Sequence, residues 1–357
     1  MCKDFEMVFA ESNPGSIILD VENLTKIVRG THRVALSDVT LKVEAGQVLG
    51  LVGDNRTSRA TLFRLILGLQ TPDSGSLRVF GQDCVSKSPQ LNNRIGFLPE
   101  NIELKKNISA IQYLRLIAGL SGIQEEVAAT RIAKYSEMLH FGDYLGTSIR
   151  KLSKSGRRCL VFIGSLIHDP ELLLLEEPVK DLSLVMRKAV RRLIADFAAK
   201  GNTVIISSDD LLFLEQVTGD LAIFAEGHVA FQGSLVSIKD TRDIPTLSVS
   251  FSGSADKFEN ELRIEANRGI LSYRFATDTC DIYFDPEMFL SERLRLLLAI
   301  IENSEIVLLD MRPSAADLGD AVDGIVDKFR ETRVSKLVGL QQAVEQRALD
   351  YSEADLN

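Results

Sequence analysis

The sequence lacks any apolar run approaching the roughly 18 residues that a membrane-spanning helix needs, so no bilayer span is expected. Basic residues are in the minority, with 41 Lys and Arg against 50 Asp and Glu, a formal net charge of −9. A nucleic-acid surface needs a basic face, so that class of partner is not expected. Cys2, Cys84, Cys159 and Cys280 lie far apart without metal-ligand spacing. That usage suits a reduced cytosolic setting. His32, His140, His168 and His228 match no catalytic arrangement. The start, Met1-Cys2-Lys3-Asp4-Phe5-Glu6, carries acids and no long apolar core, unlike a secretory signal. Any tie to a membrane is therefore expected to run through another chain.

What is present is organised around Val48 to Gly68. Val48-Leu49-Gly50-Leu51-Val52 reads as a buried strand, and Ala60 to Gly68 as an amphipathic helix ending at glycine. Between them lies Gly53-Asp54-Asn55-Arg56-Thr57-Ser58-Arg59-Ala60-Thr61. Strand, tight loop and helix frame a phosphate-binding P-loop, whose usual text is G-x-x-x-x-G-K-[ST]. Gly53 is in place. Ser58 stands for the second glycine, Arg59 for the lysine and Ala60 for the hydroxyl that would hold Mg²⁺. Arg56 and Ser58 make positive φ and close phosphate approach harder than glycine would. Arg59 keeps a positive charge, but its planar fork does not replace an ammonium.

A chain of 357 residues favours two domains. Residues 1–16 read as a loose tail. From 17 to 240 strands and helices alternate, which gives an α/β domain, interrupted by an all-helical insert at about 107–168. Leu172-Leu173-Leu174-Leu175 suits a strand buried on both faces of a parallel sheet. The polar text at 237–245 marks a boundary. From there to 357 the order β-α-β-β-α-β is that of a ferredoxin-like unit, with the last strand expected at 305–310, a helix at 315–331 and further helical pattern at 335–349.

Four more stretches follow the loop in order: Leu98-Pro99-Glu100-Asn101, Leu152-Ser153-Lys154-Ser155-Gly156, Leu172 to Glu177 with Pro178, and Ser207-Ser208-Asp209-Asp210. In order and spacing residues 17–240 resemble a single cassette of the ATP-binding cassette (ABC) family. The resemblance implies a P-loop NTPase fold with a parallel-sheet core, an antiparallel β subdomain and a helical subdomain. It makes the four stretches the Q-loop, the signature, the Walker B strand and the H-switch.

Most of these stretches are altered at the group that does the chemistry. Glu177 matches the catalytic glutamate, and Glu176 stands where the Mg²⁺-ordering aspartate belongs. Glu100 replaces the Q-loop glutamine as a second oxygen for the metal. The signature keeps Leu152 and Ser153, with Ser155 and Gly156 displaced from the usual text. Asp209 occupies the histidine position, where a carboxylate repels phosphate. Asp181-Leu182-Ser183 departs from the D-loop text, and no aromatic lies near Val28 to stack on adenine. A lost charge-assisted hydrogen bond costs about 1.5–3 kcal/mol, and about 1.4 kcal/mol is tenfold in affinity. Several such losses would move a micromolar site towards millimolar.

Glu305 to Leu318, with Arg312-Pro313-Ser314 read as a turn, is similar to the end of the accessory domain that follows some exporter-type cassettes. Together the resemblances imply an exporter-type transporter subunit with ATP and Mg as cofactors, held weakly or lost. Its own chemistry would be degenerate, a pseudo-ATPase. It would pair with a second cassette, identical or not, and dock on an integral membrane permease. Ser153 and the backbone N–H groups of 154–156 would cap the partner's nucleotide. The alternatives are a divergent but active transport ATPase and a soluble regulatory or scaffold protein of the same fold.

Overall fold

The computed structural model describes residues 16–333, apart from 29–33, 85–90, 92, 105–106, 241–245, 266–267, 286–287, 315–317, 320 and 331. The tail at 1–15 and the helical pattern at 335–349 lie outside the described residues. The chain forms two compact units: residues 1–235 together with 324–357, and residues 236–323.

The first unit begins with β1 (Ile17–Ile27) and β2 (Val34–Glu44), followed by β3 (Val48–Gly53), α1 (Arg56–Ile66), β4 (Ser74–Val79), β5 (Gln82–Asp83) and β6 (Ile95–Leu98). The helical insert supplies α2 (Ala110–Leu120) and α3 (Glu125–Met138), and α4 (Lys154–Leu166) leads back to the sheet. Then come β7 (Leu172–Glu176), α5 (Leu184–Ala198), β8 (Thr203–Ser207), α6 (Leu211–Val217), β9 (Asp220–Ala225) and β10 (His228–Ser234), and the chain leaves this unit at the first residue of α7 (Leu235–Asp240). The strands form two sheets. One is antiparallel, in the order β2-β1-β4-β5. The other runs β10-β9-β3-β8-β7-β6, parallel except for the edge pair β9–β10.

Periodicity explains both sheets. β1 and β2 alternate, sending Leu19, Val21, Leu24, Val39, Leu41 and Val43 into a core shared with Leu62, Phe63 and Ile66 of α1. In β7, Leu172 to Leu175 are all 0% exposed, as a central parallel strand requires. Each such burial is worth roughly 1.5–3 kcal/mol, which fixes this strand and the acids at its end. Ser109 starts α2 with a reciprocal capping box through Gln112.

The second unit contains β11 (Thr246–Ser252), α8 (Ala255–Glu265), β12 (Ile270–Phe275), β13 (Thr279–Phe284), α9 (Leu290–Ser304) and β14 (Val307–Ser314). Its antiparallel order β12-β13-β11-β14 is the expected ferredoxin-like arrangement. Val249, Phe251, Phe258, Leu262, Ile282 and Leu297 build its own core. Pro313 lies in β14 rather than in a turn, with Leu247 of β11 opposite it. An edge strand tolerates a residue that cannot donate to the ladder. A helix at 321–330, α10, then carries the chain back into the first unit, which it re-enters at Gly324.

Candidate functional site

The parallel sheet brings the distant stretches together. β8 lies between β3 and β7, so the ends of all three strands meet, with Leu51 paired to Ser207 and Ser207 to Glu176. The loop after β3, the acids after β7 and Ser208-Asp209 after β8 therefore share one edge. That is where an open α/β sheet places its ligands.

The loop is fixed at both ends. Gly53 has φ +133, and a Cβ there would stand 1.9 Å from the Phe224 carbonyl oxygen. Only glycine fits. Asn55 caps α1, its side chain accepting from Thr57 N at 2.9 Å. The helix thus starts at Arg56, inside the stretch expected to be loop and four residues before Ala60. Ser58 is 0% exposed, and its hydroxyl has no hydrogen-bond partner among the described residues.

Arg59 does not reach out of the loop. It is 1% exposed, and Nη1 donates to the Gly53 carbonyl at 2.9 Å. Nη2 donates to Oδ1 of Asp209. Arg56 Nε donates to Oδ2 of the same carboxylate at 2.6 Å. Burial pushes the Asp209 carboxyl up, but the hydrogen bonds and charges of Arg59 and Arg56 outweigh it and hold the group below its ordinary value. The bond to Asp209 in turn raises Arg56. Asp209 stands where repulsion of a phosphate was expected, and its charge is taken up by the loop's own guanidinium groups.

Glu100 is also engaged. Lys180 Nζ donates to its Oε1 at 2.6 Å and Arg56 Nη1 at 3.1 Å. Its pKa is lowered, first by the hydrogen bond from Lys180. Glu176 Oε2 accepts from Glu100 N at 2.9 Å, and burial raises its pKa. Glu177 is 8% exposed, with φ 45. Its carboxylate accepts from Ser208 Oγ at 3.0 Å and from Asp209 N at 2.8 Å. Among the described residues there is no cluster of three or more side chains suited to a metal.

Sequence reasoning assigned no role to Arg158. Its guanidinium is 4% exposed and grips three backbone carbonyls: Glu100 at 2.8 Å, Glu177 at 2.9 Å and Glu176 at 3.3 Å. One side chain of the signature helix α4 therefore fixes the Q-loop and the end of β7. The position of Arg158 in the first turns of the helix that opens at Ser153 was the only sequence signal for this.

The signature stretch forms the start of α4. Ser153 caps α4, its hydroxyl accepting from Gly156 N at 3.1 Å, and it contacts Ser155 Oγ at 2.9 Å. Leu152 is buried, and Lys154 forms the first residue of the helix. Beside α1 a cavity of about 520 Å³ is lined by Val28, Thr57, Thr61 and Arg64 among others. Among the described residues that line this cavity none carries an aromatic ring. Lys26 on the same cavity is tied to Asp73 at 3.2 Å.

Loop, strand ends and the segment after β8 meet at one edge of the parallel sheet, the arrangement of a P-loop cassette fold. The ABC transporter family model matches residues 36–180. An uncharacterised ABC transporter ATP-binding protein of a Nostoc species is 31% identical over 239 residues, which span 65% of this chain and 70% of the relative. The Nod factor export ATP-binding protein I of Cupriavidus metallidurans is 29% identical over 216 residues, 60% of this chain and 71% of the relative. The solved structure of an ATP-binding subunit of an ABC transporter superposes with a TM-score of 0.59 at 23% identity, covering 63% of this chain and 92% of that one. The chain belongs to the ABC transporter ATP-binding protein family. Among its described residues no helix is long and apolar enough to cross a membrane.

Proposed function

We propose that this chain is an ABC transporter subunit whose own nucleotide site is degenerate. The observation that carries the reading is the Arg59–Asp209 pair. The cation that would meet the nucleotide's phosphates is buried and neutralised from within. The residues present do not fit a magnesium nucleotide held in the family's manner. Ala60 offers no hydroxyl oxygen, the Glu100 carboxylate is held by Lys180 and Arg56, and the Ser58 side chain fills space kept free by glycine. No hydrolytic step is assigned to this site.

The fold elements that serve assembly are retained, with the helical insert and the capped signature helix in place. Support for a transport role comes from the family, whose relatives include an export ATP-binding protein. On this reading the chain pairs with a second cassette, docks on an integral membrane permease from the cytoplasmic side, and leaves hydrolysis to its partner. On the same reading the accessory domain expected at 241–357 takes in most of the unit at 236–323.

Titration of the purified chain with Mg-ATP, with hydrolysis measured before and after Glu177→Gln, tests the reading. The expected result is no saturation in the micromolar range and no rate that the substitution lowers. Micromolar binding with a rate that falls on substitution would instead make the chain a divergent, active transport ATPase.

A further inference from the structure

We propose that the returning C-terminal segment is an ionic latch on the loop entrance: Arg330 and Arg333 hold Asp54 and Glu226, Phe329 packs on His228, and docking of this segment controls how firmly residues 53–58 are ordered. The inference does not depend on whether nucleotide binds.

Asp54 is the first residue of the loop beyond Gly53. Its backbone N–H donates to the Phe224 carbonyl at 3.3 Å. Its carboxylate accepts from Glu226 N at 3.3 and 3.4 Å, which ties the loop to the turn between β9 and β10. The same carboxylate accepts from Arg330 Nη2 at 2.7 Å. Arg330 Nε lies 3.9 Å from Glu226 Oε1, and Arg333 Nη1 lies 3.5 Å from Glu226 Oε2. An aromatic contact backs the ion pairs. The rings of Phe329 and His228 are 5.7 Å apart, and the Arg333 guanidinium lies 6.0 Å from the Phe329 centroid. Two acids of the loop and turn thus meet two guanidinium groups of one segment.

The side chains are part-exposed, 44% for Arg330 and 22% for Asp54. Ion pairs of this kind are individually weak and are screened by salt. A contact built from several of them is reversible. Its position in the chain gives it reach: the first unit is left at Leu235 and rejoined at Gly324, so this segment is the far end of the whole excursion through the second unit. Release would leave Asp54 and Glu226 without these cationic partners and loosen the loop's outer end.

Hydrogen–deuterium exchange of the full chain tests the latch, with peptides covering the loop and the β9–β10 turn and a control peptide in β7. Arg330→Gln should raise exchange in the loop and turn severalfold and leave the control unchanged. Arg330→Lys should fall between the two. Adding 1 M NaCl to the wild-type chain should reproduce the Arg330→Gln result. Exchange in the loop that is the same in Arg330→Gln as in wild type overturns the proposal. So does a rise that includes the control peptide, because that marks general loosening.

Discussion

Arg59 and Asp209, 150 positions apart in sequence, form one ion pair across the end of the parallel sheet. One stands at the loop's cation position and the other follows β8, the strand next to β3. Each residue alone would damage a phosphate site: the first by bulk, the second by charge. Side by side they complement each other. The Asp209 carboxylate gives the buried guanidinium the anionic partner that a bound phosphate would otherwise supply.

Asp209→Ala should therefore destabilise the chain, since it leaves Arg59 buried without its anion. The cost is expected to be about 1–3 kcal/mol, held below that of a fully buried pair by the 42% exposure of the Asp209 side chain. Thermal unfolding at neutral pH measures it. An unchanged midpoint would mean that the pair carries no stability.

The pair also sets a pH signature. The folded-state pKa of Asp209 is lowered, so its contribution is complete above the unfolded value of about 4 and is lost as pH falls through the folded value. Stability of wild type minus that of Asp209→Asn should be flat from neutral pH down to about 5 and shrink below about 4. A difference that grows on acidification contradicts the assigned charge state.

Restoring the missing groups should restore a ligand. The triple change Arg59→Lys, Ala60→Ser and Asp209→His returns an ammonium and a hydroxyl and removes the competing carboxylate. On the proposed reading it should tighten Mg-ATP binding at least tenfold, about 1.4 kcal/mol. Fluorescent-nucleotide titration reads this directly, and equal affinities would count against the reading.

Arg158→Met tests the strut under the site. The variant keeps apolar volume but releases the carbonyls of Glu100, Glu176 and Glu177. A loss of about 1–3 kcal/mol is expected from buried carbonyls that lose a charged donor, the Glu177 carbonyl keeping the Lys180 N–H at 3.1 Å. Denaturant unfolding gives the value.

Much of the frame was legible because it rests on local pattern. The apolar run into Gly53, the leucines of β7 and the change to helical period after Ile108 each signal one element. The ferredoxin-like order of the second unit came from the same alternation. Other features lacked a local signal. The start of α1 at Arg56 depends on the Asn55 cap, which a stretch read as loop concealed. Helix α6 at Leu211–Val217 is short, and the sequence reading passed over it. The ion pair of Arg59 and the grip of Arg158 both join residues brought together only by the strand order. The cation kept at position 59 and the carboxylate introduced at position 209 were a clue, available once the family resemblance had placed the two side by side.

Gly53 carries one more consequence. The Phe224 carbonyl occupies the space where its side chain would be, so the neighbouring strand demands the residue whether or not an anion binds. Nucleotide chemistry and architecture therefore make separate demands on one short loop. Positions 58, 59 and 60 can part with the first while position 53 still answers to the second. A sequence search keyed on that first glycine will keep finding such chains whether or not they bind anything, whereas the residues at 59 and 60 distinguish a working site from an inherited shape.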